Sequence, residues 1–255
     1  DGISWLEFRR VLFRSIRNNY LQYRYNRGQQ LAQQGRYTEA IQDLQWVAAQ
    51  PSFEWREDAI AALYGAYLNN HQYDKALEQA ELLTQQYPQS KGGYLRKAAA
   101  LSALRQYPQA LEIYEKLIGE SDAKDNDLYI SGYEETALAY IKYLNEKGDA
   151  TTAYEQQKKL MTLKENSNQG LRYIVATSSL LKKEDEVLSY AQKGKALYPD
   201  DFYFVEQEAY AYTRTDRPQE GINVLEPYLE KYAYNKDLSK AYAEAAEKQA
   251  QKEYK

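Results

Sequence analysis

The chain has 255 residues, of which 44% are hydrophobic and 27% charged, and this ordinary globular usage excludes an intrinsically disordered protein. Its formal net charge of −4 provides no basic surface for nucleic acid, so we expect no nucleic-acid partner. Because there is no cysteine and only one histidine, disulfide bonds and thiolate chemistry are excluded, and we expect no metal and no cofactor.

The first fifteen residues differ in character from the remainder of the chain. They carry large apolar side chains, among them Trp5, Phe8 and Phe13, and they lie outside the repeat spacing described below. We interpret residues 1–15 as a non-native or unassigned leader. The alternative is a native N-terminal helix that packs on the first repeat.

Three related segments follow, at 35–44, 71–80 and 105–114. In each of them a tyrosine is followed three positions later by an alanine, and these alanines (Ala40, Ala76 and Ala110) are 36 and 34 residues apart. The phase continues more loosely through Ala153, Val187 and Gly221, at intervals of 43, 34 and 34 residues. Such self-similarity at a constant period indicates an array of repeats rather than one growing core.

Helical spacing of apolar and small residues predicts thirteen helices. Their expected ranges are 19–33, 37–49, 56–69, 73–86, 91–104, 107–118, 129–146, 150–163, 168–181, 184–197, 201–214, 218–232 and 237–253. The polar, turn-rich stretch 119–127 is predicted to be a loop that accounts for the longer interval between the third and fourth repeats.

The 34-residue period resembles the tetratricopeptide repeat (TPR), a helix–turn–helix unit, over about six repeats in residues 20–235. This resemblance implies an all-α fold, a right-handed α-solenoid of stacked repeats. Because a single repeat cannot bury its apolar face alone, stacking makes such an array stable. We expect the array to occupy residues 16–236. Residues 237–255 would then form a capping helix or the start of a truncated further repeat.

The resemblance also implies a concave groove, lined by the first helix of each repeat, in which a partner binds. The positions that correspond to groove-facing ones are Tyr25, Gln29, Asp58, Asn69, Lys142, Asn145, Arg172, Tyr203, Glu206 and Tyr210. This mixture of polar and aromatic side chains suits an extended peptide or a glycan. Leu95 and Ala99 stand where the family's carboxylate clamp needs polar residues, so we do not expect chaperone-tail specificity. The alternative for each groove residue is that it only solvates the surface.

No arrangement of residues predicts catalysis. The single histidine, His71, lies in a turn between two helices, and the sequence has no nucleophile elbow or phosphate-binding loop. We therefore expect a non-enzymatic protein-interaction scaffold. The alternative is the periplasmic TPR portion of a bacterial envelope or exopolysaccharide-export protein, with the periplasm or cell envelope slightly favoured over the cytoplasm. The longest apolar run, 59–68, is far shorter than the roughly 20 residues of a membrane-spanning helix.

Overall fold

A computed structural model of the chain describes residues 4–121 and 123–254, which form thirteen α-helices and no β-strand. In chain order these are α1 (Trp5–Gln33), α2 (Tyr37–Ala48), α3 (Arg56–Asn69), α4 (Tyr73–Gln86), α5 (Lys91–Ala103), α6 (Tyr107–Gly119), α7 (Ala123–Lys147), α8 (Ala150–Leu163), α9 (Asn168–Leu180), α10 (Glu184–Leu197), α11 (Phe202–Arg214), α12 (Pro218–Lys231) and α13 (Lys236–Glu253). Within the described ranges, no helix has the length and hydropathy of a membrane span.

The helices pack in consecutive pairs within two compact units, which divide inside α7. The N-terminal unit is Asp1–Thr136 and the C-terminal unit is Ala137–Lys255. In the N-terminal unit each helix from α1 to α6 packs on the next, and in the C-terminal unit the same holds from α8 to α13. First helices also touch one another, as α1, α3 and α5 in one unit and α9, α11 and α13 in the other. This packing confirms the predicted all-α fold of stacked helix pairs.

The small residue of each repeat lies where the two helices of a pair come closest. Five members of the series have no exposed surface at all: Ala40, Ala76, Ala110, Ala153 and Val187. The sixth member of the series is Gly221, because here the backbones of the two paired helices, α11 and α12, approach each other too closely for a Cβ atom. A Cβ atom at Gly221 would lie 2.9 Å from the carbonyl oxygen of Ala209 on α11.

A second feature shared by the repeats is the turn that connects the two helices of each pair. The described residues contain six with positive φ, between 56° and 77°, and each lies five positions before the small residue of its repeat: Gly35, His71, Arg105, Gly148, Lys182 and Asp216. At the second of these turns the amide of Gln72 donates to the carbonyl of Tyr67 (2.9 Å) and the amide of His71 donates to Leu68 (3.0 Å). This is the Schellman motif that ends many helices. It places His71 in the turn that the sequence predicted.

One large side chain and one glycine complement each other at three of the helix contacts, α4–α5, α8–α9 and α10–α11. Gly93 on α5 packs on Leu83 of α4, and a Cβ at this glycine would approach the leucine Cβ to 3.2 Å. The same positions in the C-terminal unit are Leu160 on α8 and Gly170 on α9, where the corresponding distance to Leu160 Cδ2 is 3.1 Å.

At the next contact of the C-terminal unit the two sizes are exchanged. Gly194 lies on α10 and the fully buried Phe204 lies on α11, and a Cβ at Gly194 would be 2.3 Å from the phenyl ring. Total volume is therefore conserved although the order of small and large residues is reversed, which is the kind of change that packed cores tolerate best.

Two predicted boundaries are wrong. The helix expected at 19–33 is only the second part of α1, which begins at Trp5. No side chain from Trp5 to Tyr20 is buried, and a reciprocal capping box between Ser4 and Glu7 closes the helix start. The repeat spacing could not predict this stretch because it marks only the turns that pack against a neighbour.

The loop expected at 119–127 is also too long, since α7 begins at Ala123. Polar and turn-forming residues dominate this stretch of the sequence. Such residues are unfavourable in a helix interior but are common in its first turn, where acidic residues favour the helix dipole. Composition alone therefore could not distinguish the end of the loop from the beginning of the helix.

Candidate functional site

Two of the predicted groove residues, Arg172 and Tyr203, meet where α9 and α11 pack together in the C-terminal unit. The guanidinium of Arg172 donates to the carboxylate of Asp201 at 2.6 and 2.8 Å and lies over the ring of Tyr203, 4.3 Å from its centre. The hydroxyl of Tyr203 donates in turn to the carbonyl of Arg172 at 3.2 Å. Burial opposes ionisation of Asp201, but hydrogen bonds from Asn168 and Arg172 outweigh it and hold the pKa of this carboxyl below its ordinary value.

Glu206, another predicted groove residue, lies with Tyr210 further along α11, next to α13. Burial raises the pKa of Glu206 above its ordinary value, and the carboxylates of Asp237 and Glu244 on α13 raise it further, against the opposing charges of Lys240 and Arg172. Burial, followed by the charges of Glu244 and Glu206, raises the pKa of Tyr210 to about 12. Burial likewise raises the pKa of Tyr203 to about 12. The first-helix face of this unit is thus rich in tyrosine and predominantly negative.

In the N-terminal unit, predicted residues meet where α1 packs on α3. Tyr25 is only 7% exposed, and its hydroxyl accepts a hydrogen bond of 2.8 Å from the side-chain amide of Gln29. Its ring packs against Phe53 and Trp55, with ring centres 5.7 and 6.1 Å away. Burial raises the pKa of Tyr25, and the nearby carboxylate of Asp58 raises it further. The exposed part of this cluster is therefore Trp55 and Asp58.

The remaining predicted residues lie apart from these two clusters. Asn69 is exposed at the end of α3, where its side-chain amide donates to the carbonyl of Gly65 at 2.8 Å. Eleven residues separate it from Asp58, which corresponds to about 16 Å along a helix. Lys142 and Asn145 are exposed on the last turns of α7, and no hydrogen bond or ion pair within the described ranges engages their side chains. Asn69 is therefore separated from Asp58 along the same helix, and the assignment of Asn69, Lys142 and Asn145 to a groove stays a prediction.

Some residues of these surfaces could not be predicted from the repeat pattern. Trp55 precedes α3, outside the helical positions that the resemblance compares, and its 44% exposure became clear only from the fold. Asp201 caps α11 by accepting from the amide of Tyr203 at 3.3 Å, so an acidic residue at this position has an ordinary structural explanation. Only the fold shows that the same carboxylate also holds Arg172.

The N-terminal unit has a further groove of about 590 Å³ on its second-helix side, between α4, α5 and α6. Its partly buried lining includes Leu77, Tyr94 and Ile113, and three lysines and three glutamates surround it: Lys91, Lys97, Lys116, Glu81, Glu112 and Glu120. Lys97 pairs with Glu81 at 3.1 Å. Because the charges balance, this groove has no preference for a partner of either sign.

The part of the chain that the structure describes contains no group of three or more histidine, cysteine, aspartate or glutamate side chains placed to hold a metal ion. The surfaces described above instead combine aromatic rings, carboxylates and side-chain amides. Such groups recognise a ligand by stacking, hydrogen bonding and charge.

No protein-family model matches the sequence, and no curated protein matches it. Solved structures do resemble the fold. One is a tetratricopeptide repeat protein from Parabacteroides merdae ATCC 43184, with 14% identity, a TM-score of 0.51 and coverage of 91% of this chain and 88% of that chain. Another is MamA AMB-1, with 19% identity, a TM-score of 0.50 and coverage of 71% of this chain and 92% of that one. The chain therefore has the tetratricopeptide-repeat fold that its 34-residue period predicts.

Proposed function

We propose that the chain is a protein-interaction scaffold, and that an extended segment of a protein partner binds along the first-helix face of the C-terminal unit. This face consists of the exposed surface of α9, α11 and α13 around Tyr203, Glu206 and Tyr210. The proposal includes no catalytic step. It rests on the TPR fold, whose stacked helices offer a continuous polypeptide-binding surface, and on the chemistry of this particular face.

The observation that carries the proposal is the environment of Glu206. This carboxylate is partly buried beside the acidic side chains of Asp237 and Glu244, so that its ionised form is disfavoured in the folded chain. A surface carboxylate whose ionised form is disfavoured is typical of binding sites, because a bound ligand can supply the opposite charge that the fold does not provide. The flanking rings of Tyr203 and Tyr210 add the amphipathic area that is common in interfaces.

The same environment indicates the charge of the partner. Glu206, Asp237 and Glu244 face two basic side chains in this part of the surface, Lys240 and Arg172, and Arg172 is already paired with the carboxylate of Asp201. A partner segment with lysine or arginine would reduce the repulsion among the three carboxylates, whereas an acidic segment would increase it. We therefore propose that the bound segment is basic.

A peptide library tests this proposal directly. Random twelve-residue peptides displayed on phage are selected against the full chain, and the affinities of enriched peptides are measured by calorimetry. We expect the enriched peptides to be basic, and their affinity to fall by about tenfold or more in Tyr203→Ala or Tyr210→Ala because truncating an aromatic anchor often costs more than 1 kcal/mol.

Lys116→Ala, on the second-helix side of the N-terminal unit, serves as the control and should leave the affinity unchanged. Circular dichroism of each variant confirms that the fold is retained. If selection yields no peptide, or only peptides whose affinity is indifferent to Tyr203 and Tyr210, the proposed function is wrong.

A further inference from the structure

The N-terminal unit carries an aromatic and acidic surface patch, formed by Trp55 and Asp58 beside the buried Tyr25, in which the aromatic ring and the carboxylate have no cationic partner among the described residues. Trp55 is the residue before α3 and is 44% exposed, and Asp58 is exposed on the first turn of the same helix. Both adjoin Tyr25, whose hydroxyl hydrogen-bonds to Gln29. In the described residues no cation lies over the indole ring of Trp55, and Asp58 forms no ion pair.

The absence of a cation is unusual within this chain, because the other exposed tryptophans both have one. Arg9 lies 5.7 Å from the ring centre of Trp5, and Arg24 lies 4.7 Å from that of Trp46. The nearest basic residue in sequence, Arg56, points elsewhere, since its guanidinium donates to the carbonyl of Ala48 at 2.9 Å. The indole ring of Trp55 is therefore left open to solvent.

The C-terminal unit shows how the same positions behave when a cation is present. Tyr25 and Arg172 each lie fifteen residues before the small residue of their repeat, and Asp58 and Tyr203 each lie eighteen residues before theirs. Between adjacent first helices, these positions therefore form equivalent pairs. In the C-terminal unit the pair is an arginine stacked on a tyrosine ring and bound to the carboxylate of Asp201. The N-terminal unit has a ring (Tyr25) and a carboxylate (Asp58) at these two positions but no arginine, and the position of Asp201 is taken by Arg56, whose guanidinium donates to Ala48.

We propose that the surface patch formed by Trp55 and Asp58, with Tyr25 packed beneath it, binds the guanidinium group of an arginine side chain contributed by the protein partner. The guanidinium would stack on the exposed indole while Asp58 accepts its N–H groups. This inference rests on the proposed function, to which it adds a specific recognition element in the N-terminal unit. Arginine fits better than lysine because its planar group can stack on a ring and bind a carboxylate at the same time.

The test uses the full chain and the peptides enriched by the selection described above. In each peptide that contains arginine, every arginine is replaced in turn by citrulline, a neutral side chain of nearly the same shape, and by lysine. At one position we expect citrulline to weaken binding by roughly five- to twentyfold, since a cation–π contact and an exposed ion pair are both lost. Lysine at that position should bind with intermediate affinity.

Variants of the chain then locate the contact. In Asp58→Asn, which keeps the shape of an exposed side chain and so preserves the fold, and in Trp55→Ala, the difference between arginine and citrulline at that position should become small. Asp74→Asn, the same substitution at an exposed position on the first turn of α4, is the matched control and should preserve the full difference.

The outcomes separate this inference from the proposed function. If the selection yields peptides that depend on Tyr203 and Tyr210 but none whose preference for arginine over citrulline is lost in Asp58→Asn or Trp55→Ala, the proposed function is supported and the arginine site is overturned. An arginine preference that persists in both Asp58→Asn and Trp55→Ala also overturns it, because the guanidinium is then bound elsewhere. Failure of the selection to yield any peptide overturns both proposals.

Discussion

At four turns of the array a side chain other than glycine occupies the left-handed region of backbone conformation. Arg105, with φ of 61°, is exposed, and Gly148 occupies the same position of the following repeat with φ of 77°. An L-residue in this conformation costs about 1–2 kcal/mol through the approach of its Cβ to the carbonyl oxygen, whereas glycine does not pay this cost. These turns therefore store strain that a single substitution can release.

We expect Arg105→Gly to raise the free energy of unfolding by up to about 1 kcal/mol, because relief of the strain exceeds the added entropy of the unfolded chain. Gly148→Ala should lower it by about 1 kcal/mol for the same reason. Urea denaturation measures both. Arg105→Ala is the control for the loss of charge and should bring no gain, since the Cβ remains. A gain in Arg105→Ala equal to that in Arg105→Gly would contradict the explanation.

A second residue-scale prediction concerns Glu206, whose folded-state pKa is raised by burial and by the Asp237 and Glu244 carboxylates. A carboxyl group with a raised folded-state pKa makes the fold less stable as pH rises from its ordinary value through the raised one. Glu206→Gln should therefore increase the melting temperature at pH 7, and this gain should vanish below about pH 4, where the carboxyl group is protonated in both states.

The same substitution should weaken the binding of basic peptides at pH 7, because it removes one of the three carboxylates of the proposed surface. Lys240→Gln, which removes the opposing charge, is a matched control and should have the reverse effect on binding. A stability gain without any loss of peptide affinity would indicate that Glu206 is only a strained surface residue.

At the scale of elements, neighbouring repeats fit together because a glycine on one helix faces a large side chain on the helix of the adjoining repeat. The glycine of Gly194 on α10 makes room for Phe204 on α11. We expect Gly194→Leu to lower the free energy of unfolding by about 1–3 kcal/mol through overpacking and Phe204→Ala to lower it by about 3–5 kcal/mol through a cavity. Because the inserted leucine would fill that cavity, the double variant should lose less than the sum of the two.

Urea denaturation of the two single variants and the double variant completes this cycle. Ala153→Leu, where no partner is small enough to compensate, provides a comparison in which the same Phe204→Ala substitution should give additive losses. Strict additivity in the Gly194 and Phe204 pair would show that these residues do not share one space.

The first helix supplies a prediction about the leader. The side chains of Trp5, Leu6, Phe8, Leu12 and Phe13 are between 47% and 71% exposed. Because burial of apolar surface is what makes packing favourable, a chain that begins at Ile16 should keep the melting temperature of the full chain. A chain that begins at Tyr25 is the control. It lacks the fully buried Leu21 and should unfold at a clearly lower temperature. A marked loss already at Ile16 would support a native cap instead.

The elements that could be predicted from the sequence are those whose packing leaves a periodic pattern. The series from Ala40 to Gly221 identifies the helix pairs, because close helix approach demands a small residue at every repeat. The start of α1 at Trp5 leaves no such pattern, since nothing packs on it. Trp55 was missed for the related reason that it lies between helices, where the repeat imposes no residue type. Within the predicted site, Arg172 could be recognised from the sequence because the repeat gives every first helix a corresponding groove-facing position.

At the scale of the whole molecule, the chain spreads its stability over many contacts between neighbouring helices rather than over one core. From α1 to α6 and from α8 to α13 each helix packs on the next, so we expect a substitution on one exposed face to have little effect on distant helices. The two proposed recognition elements lie on or next to first helices, one in each unit. Each combines an aromatic ring with a carboxylate, and we propose that each binds a basic side chain.

Hydrogen–deuterium exchange of the full chain, with and without a selected basic peptide, tests the central claim most directly. If the partner binds along the first-helix face, the peptide should slow exchange in α9, α11 and α13 and leave α8, α10 and α12 unchanged. Glu206→Gln should reduce this protection at equal peptide concentration. Protection confined to the second helices, or to the groove between α4 and α6, would contradict the account.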